Sequence, residues 1–223
     1  MKPAELSQGV ATESKRELAK AKTRRALLKS ALQLYSQEGS QGLSMNKVAK
    51  GAGIAQPSFY NHFESLDALQ QELCELLKES YLSPMRMAWV SMLEEFDSLS
   101  KELLDHKCRQ CLGMIFDAAF QNIDLFQHLI EDRPRFGQHT HHGLGGLVND
   151  LQEEWIEIFS QGLTLSGRTF TSSSVNLFVD TAAAQVHELI LGCHQQRYQR
   201  EQAIQLLSTN FQSLFISVFT SQK

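Results

Sequence analysis

Prolines and glycines are few: four and thirteen in 223 residues. Little therefore forces the chain to turn, and long helices have room to form. No run of about eighteen apolar residues occurs, which excludes an ordinary membrane-spanning helix. The N-terminus lacks the apolar core of a signal peptide, so a cytoplasmic location is expected. No sustained alternation of apolar and polar residues appears, so no half-buried sheet is predicted. Of the four cysteines, Cys74 and Cys193 are expected to be reduced thiols in a cytosolic protein, and Cys108 and Cys111 ordinary semi-buried cysteines in a helical pattern. No phosphate-binding glycine loop, dinucleotide fingerprint or nucleophile–base arrangement is present. An enzyme is therefore not expected, and no cofactor is called for.

What is present is uneven. The net charge of −4 is small, yet residues 1–66 hold ten Lys and Arg against five Asp and Glu and are +5, leaving −9 on residues 67–223. A basic anion-binding head on an acidic body is the simplest reading of that asymmetry. Inside the basic segment, residues 44–63 read SMNKVAKGAGIAQPSFYNHF. Ser44 is a good N-cap. Met45, Val48, Ala49 and Ala52 recur every three or four residues and mark one face of a short helix. Gly53 can take the positive φ that ends a helix, and Ile54 plugs the angle beyond it. Pro57 suits the first turn of a second helix, and Phe59 and Phe63 share its inner face. This is a helix–turn–helix suited to the DNA major groove. Phosphate contacts are expected from Thr23, Ser44, Lys47, Tyr60 and His62, and base-edge contacts from Gln56, Ser58 and Asn61, with Pro57 in the same turn. An ordinary helical hairpin is the blander alternative.

The residues Thr23, Arg24, the segment 25–38, Gly39, Ser44, Val48, Ala49, Ala52, Gly53, Ile54, Ser58, Phe59, Tyr60, His62, Phe63 and Leu69 together resemble the TetR family of bacterial transcription regulators. The resemblance covers about the first third of the chain. The stretch GIAQPSFYNHFESLDAL is also similar to a narrower pattern, that of repressors of unsaturated fatty acid synthesis, which Phe126, Leu129, Asp132 and Arg133 extend. At Leu66 the chain departs from the many family members that carry a Lys there, so one phosphate contact is missing or replaced. The resemblance implies an all-α protein. It would comprise an N-terminal three-helix helix–turn–helix domain and a C-terminal helical domain for ligand binding and dimerisation. The expected boundaries are 1–18 for a flexible tail, 19–66 for the DNA-binding head and 67–223 for the body. It further implies a homodimer on a palindromic double-stranded DNA operator, and a small apolar ligand such as an acyl-CoA or acyl carrier protein thioester.

Along the chain, a helix is expected from about residue 23 to 37, and another from Asp67 to Pro84, which should kink or end it. Helical patterns follow at 85–96, 100–121, 123–132, 146–164, 173–195 and 200–220. Met85, Trp89, Met92, Phe116, Phe120 and Phe126 are candidates for an apolar pocket, with Arg133 set to meet an anionic head group together with Arg135 and the histidines at 139–142. Core packing is the plainer role for the Met, Trp and Phe candidates, and a solvated loop for the arginines and histidines. The last two helices carry wide apolar faces. Phe178, Ala182, Val186, Leu207, Phe211, Leu214, Phe215 and Val218 are the candidates there for a four-helix dimer interface. A redox or metal-responsive regulator using Cys108/Cys111 or His139, His141 and His142 is the alternative. These groups lack the second Cys pair, the carboxylate or the βαβ setting that would define a site, so no metal is expected. A ligand-independent DNA-architectural protein is a third possibility.

Overall fold

The computed structural model describes residues 3–133 and 143–219. Those residues form nine α-helices, two short 3-10 turns and no strand. No described helix is long and apolar enough to cross a membrane.

α1, Pro3–Glu38, is the longest element. It starts some twenty residues before the expected position and takes in most of the segment 1–18 read as a tail. The reason is that periodicity records packing rather than helicity. Residues 15–22 are all exposed, so no apolar stripe marks them, although Ala, Glu, Leu and Lys are strong helix formers. Burial begins further along, with Leu27, Leu28, Ala31 and Tyr35 on one face. Gly39, at φ 64°, stops the helix.

α2, Met45–Gly51, and α3, Gln56–Phe59, follow. α4, Leu66–Glu94, is capped by Ser65, whose Oγ accepts from the Ala68 N–H at 3.0 Å. Asp67, read from the sequence as the residue at which this helix opens, lies in its first turn. Pro84 does not end α4 either. A proline removes one helical donor, and tertiary packing offsets that loss: Leu82, Met85, Trp89, Met92 and Leu93 on both sides of it are buried. Against this stretch lies α7, Leu147–Leu165. The two helices meet at Gly162, where a Cβ would come within 2.6 Å of the Leu93 side chain. No larger residue fits without a shift.

The remaining helices are α5, Lys101–Gln121, α6, Ile123–Glu131, α8, Ser172–His194, and α9, Arg200–Phe219. Two apolar cores result. One joins α4, α5 and α7 to α9 in the body. The other fills the head and runs on into Leu125 and Leu129 of α6 and Leu144, Leu147 and Val148 at the start of α7. The head is thus packed onto the body through α6 as well as joined to it by α4.

Candidate functional site

The head is built by capping chemistry. Ser44 accepts the Lys47 N–H at 3.3 Å and opens α2. At the other end the Gly53 N–H reaches the Lys50 carbonyl at 3.1 Å and the Ile54 N–H reaches that of Ala49 at 3.0 Å. That pair of bonds is a Schellman closure, which requires the positive φ of 74° that Gly53 supplies. Ser30 of α1 donates to the Val48 carbonyl at 2.9 Å and locks α2 onto the core. Pro57 stands in the first turn of α3, and the chain continues from Phe59 through turns, with Phe59 and Phe63 buried together at 5.8 Å between ring centroids.

This leaves Gln56, Pro57, Tyr60 and Asn61 exposed, with Tyr60 at 56%, and Ser44, Ser58 and His62 half-buried. They are carried by the start of α2, by α3 and by the turn that follows α3. Lys47 is exposed, but its ammonium pairs with Glu38 at 2.7 Å. The Thr23 hydroxyl donates to the Ala19 carbonyl at 3.1 Å, so it would have to rotate to donate to a phosphate. Burial, assisted by the charges of Lys20 and Arg24, lowers the pKa of His62. The shift favours the uncharged imidazole. Leu66 is half-buried against the head core and supplies no charge.

Sequence reasoning did not single out the residue that ties this region together. Arg24 of α1 holds the Glu72 carboxylate of α4 with two bonds, one at 3.0 Å, and donates to the His62 carbonyl. Its guanidinium lies 4.0 Å from the centre of the Phe63 ring. A single side chain thus fixes the exit of the recognition segment against α1 and α4. The signal was its place beside Thr23, next to a helix whose periodicity pointed inward. Arg24→Ala is expected to lower stability by about 1–2 kcal/mol, since charge-assisted hydrogen bonds and a cation–π contact disappear at a half-exposed site. A urea midpoint equal to the parent's would show that the cluster is not a support.

In the body lies a cavity of about 170 Å³, lined from α4, α5, α6, α7, α8 and α9. Met85, Trp89 and Phe126 line it, beside Trp155, Phe159 and Phe211. Met92 and Phe116 do not: they are 1% and 0% exposed within the core. Phe120 faces outward at 40% exposure, one helical turn beyond Phe116. Arg133 does not line the cavity either. It donates to Asn149 at 3.2 Å and to Gln152 at 2.8 Å, and Gln152 in turn donates to Asp180. Arg135 and the histidines at 139, 141 and 142 lie outside the described residues.

The residues picked for a dimer face turn out to be mostly interior. Phe178, Leu207, Phe211 and Phe215 are at most 6% exposed, and Val186 is 9%. Phe178 touches the rings of Phe159, Phe211, Phe215 and Phe219. Ala182, Val186, Leu207, Phe211 and Leu214 line the cavity, and Val218 is half-buried against the same core. An apolar face in sequence goes to the nearest core, and here that core belongs to the same chain. The outer face of α8 and α9 instead shows Leu177 at 59%, Leu206 at 51% and Ile216 at 51%, with Ala184, Thr209 and Ser213 between them.

Cys108 and Cys111 are buried in α5, and burial pushes their thiols up to about 12 and about 11. A thiol that is hard to ionise and closed to solvent is a poor redox sensor. Among the described residues, no three His, Cys, Asp or Glu side chains gather as metal ligands.

Residues 27–73 match the family model of bacterial regulatory proteins, tetR family. The chain is 30% identical over 106 residues to the HTH-type transcriptional regulator AcrR of Shigella flexneri, covering 39% of this chain and 49% of that one. It spans no more than about half the length of the curated relatives it matches. Among solved structures, a TetR-like transcriptional regulator from Rhodococcus sp. RHA1 superposes with a TM-score of 0.59 at 15% identity, covering 87% of this chain and 96% of that one. The fatty acid degradation regulator FadR from Bacillus halodurans superposes with a TM-score of 0.52 at 14% identity, covering 86% and 93%. The helix–turn–helix segment is thus similar to that of bacterial regulatory proteins of the tetR family, and the all-helical fold around it is similar to that of the solved TetR-like regulators.

Proposed function

We propose that the chain is a ligand-responsive repressor that acts as a homodimer on a palindromic operator in double-stranded DNA. The observation that carries this reading is the continuity of the molecule from head to cavity. Gln56, Tyr60 and Asn61 stand free on the recognition surface. The core beneath them extends into Leu125 and Leu129 of α6, and these same residues line the cavity together with Phe126 and Ile130. Three polar contacts fasten α6 to the end of α1. The Ser40 N–H donates to Asp132 at 2.9 Å, Asn122 donates to Ser36 at 3.3 Å, and the His128 ring stands edge-on to Tyr35 at 6.3 Å. A molecule entering the cavity would displace α6 and, through these contacts, the head. Operator and ligand would then alter each other's affinity by the same factor.

Two heads must reach successive major-groove faces roughly 34–36 Å apart, which calls for a pair of chains. The exposed stripe of Leu177, Ala184, Leu206, Thr209, Ser213 and Ile216 is the surface on which a second copy would pack in a four-helix arrangement. Lys47, Tyr60 and His62 are assigned to phosphates, Gln56, Ser58 and Asn61 to base edges. An acyl chain, and with it a role in fatty-acid or lipid metabolism, suits the apolar wall of the cavity. The FadR likeness shares only the fold.

Tyr60→Ala tests the DNA role. The side chain is exposed and supports no core contact beyond its edge on Phe59, so its loss should spare folding. Operator affinity should fall by about 1 kcal/mol or more, a factor of at least ~5, across cognate and mismatched sites alike. Equal binding by variant and parent in a gel-shift titration would remove Tyr60 from the interface.

A further inference from the structure

The cavity's wall describes its occupant more closely than the fold does. Both tryptophans of the chain, Trp89 and Trp155, line it, and their rings meet edge-on at 5.6 Å. Phe211 stands 5.1 Å from Trp89, and Phe159 lies among them. Among the described residues no Asp, Glu, Lys or Arg lines the space. Arg133, the described cation considered for a head group, does not line the space and directs two of its five N–H donors to Asn149 and Gln152. An ion moved into such a wall would lose its hydration without gaining a partner, which costs several kcal/mol. Size points the same way. A cavity near 170 Å³ is of the order of the ~150 Å³ apolar cavity that takes a single benzene ring. It is small for a long extended chain.

Two lining side chains bear on a polar group of the occupant: Trp89, whose Nε1–H is buried with no hydrogen-bond partner among the described residues, and His187. His187 of α8 makes no hydrogen bond with any described residue, and its ring lies edge-on to Phe126 at 5.8 Å. Burial, with a lesser push from the Arg133 charge, drives its pKa down to about 4. The imidazole is therefore neutral, with one nitrogen donating and the other accepting. A hydroxyl can do either, so it satisfies this ring in both tautomers.

We infer that the cavity takes a compact, uncharged aromatic molecule bearing one hydroxyl group, its ring held by the Trp89–Trp155–Phe211 cluster and its hydroxyl by His187. This rests on the ligand-responsive reading above and narrows it. It displaces the acyl thioester as the expected ligand, because such a ligand is both longer and charged at its carrier end.

The test uses the full-length protein and four probes: 4-ethylphenol, ethylbenzene, 4-methylbenzoate and decanoate. Isothermal titration gives the affinity. Quenching of tryptophan emission gives the location, since both tryptophans stand in the wall. The expected result is that 4-ethylphenol binds about tenfold or more tightly than ethylbenzene, as for one hydrogen bond to an otherwise unpaired buried group, and that both carboxylates bind more weakly still. His187→Leu should erase the preference for the phenol while leaving ethylbenzene binding in place, and His187→Gln should keep part of it. Retained ethylbenzene binding also shows that the variant is folded. Equal binding of phenol and ethylbenzene, or a preference unchanged in His187→Leu, overturns the assignment of His187. Decanoate binding tightest, with release of operator DNA, overturns the inference but leaves a ligand-responsive repressor standing. No quenching by any probe overturns both.

Discussion

Leu177→Arg combined with Ile216→Arg should yield a folded monomer that has lost operator binding, whereas Phe178→Ala should yield a protein that unfolds early. The contrast follows from neighbouring residues on one helix. Leu177 and Ile216 are 59% and 51% exposed, so the folded chain spends little on them. In the proposed dimer they would be covered, and four buried guanidinium groups, two from each chain, without carboxylate partners would cost several kcal/mol per interface. Light scattering should then report a mass near the 25.2 kDa of one chain rather than twice that, with the helical circular dichroism signal intact. Phe178 is 0% exposed and packs against four aromatic rings. Removing its ring should cost about 3–5 kcal/mol, a large part of the ~5–15 kcal/mol that holds a typical domain together. The drop should appear in the urea midpoint at any protein concentration. If Phe178→Ala instead leaves a stable monomer, or the double arginine variant remains a dimer, the assignment of the two faces is reversed.

The burial of Phe178, Phe211 and Phe215, read from the sequence as interface candidates, separates what a sequence discloses from what it does not. Val48, Ala49, Phe59 and Phe63 were legible because the head folds on local rules: caps, a positive-φ glycine and a proline at a helix start are all written in adjacent residues. Helix positions in the body were legible from their apolar periodicity, and the structure adds caps that the sequence reading did not use, Ser100, Asn122 and Thr171. Which core an apolar face joins is a different kind of fact. The stripe of Phe178, Val186, Phe211 and Phe215 looked like an interface because nothing in a linear pattern separates burial by one's own chain from burial by a partner. The exposed Leu177, Leu206 and Ile216 are spaced among polar residues and made no pattern of their own. Arg24 was hidden for a similar reason. Its partners Glu72, His62 and Phe63 lie 38 to 48 positions away, and a lone arginine on a basic segment invites the assumption that it meets DNA. In the body, the lining of the cavity depends on six helices meeting, which places Met85 and Trp89 at its wall but sends Met92, one turn from Trp89, into solid core.

Lowering the pH from 7 to 5 should destabilise the protein by about 2 kcal/mol through His187 alone. Burial first, then the Arg133 charge, holds the folded pKa near 4, below the ordinary 6.5. In the unfolded chain the same imidazole takes a proton as pH falls through 6.5, while in the folded chain it stays neutral until about 4. Between those values the unfolded state binds more protons, so stability falls with falling pH; below about 4 both states are protonated and the contribution levels off. Other histidines titrate too, so the decisive quantity is a difference: the pH 7 to pH 5 loss in urea stability should be clearly smaller in His187→Leu than in the parent, both measured at one protein concentration because a dimer's stability depends on it. Parallel losses would place His187 in a solvated setting and remove the reason for calling it neutral. The ligand experiment gives an independent check on the same group. Over that pH range the folded imidazole does not change its protonation, so the affinity for 4-ethylphenol should hold steady while the fold itself weakens. An affinity that drops in step with stability would mean that the ring at the cavity wall is titrating in the folded protein, at a pKa far above 4.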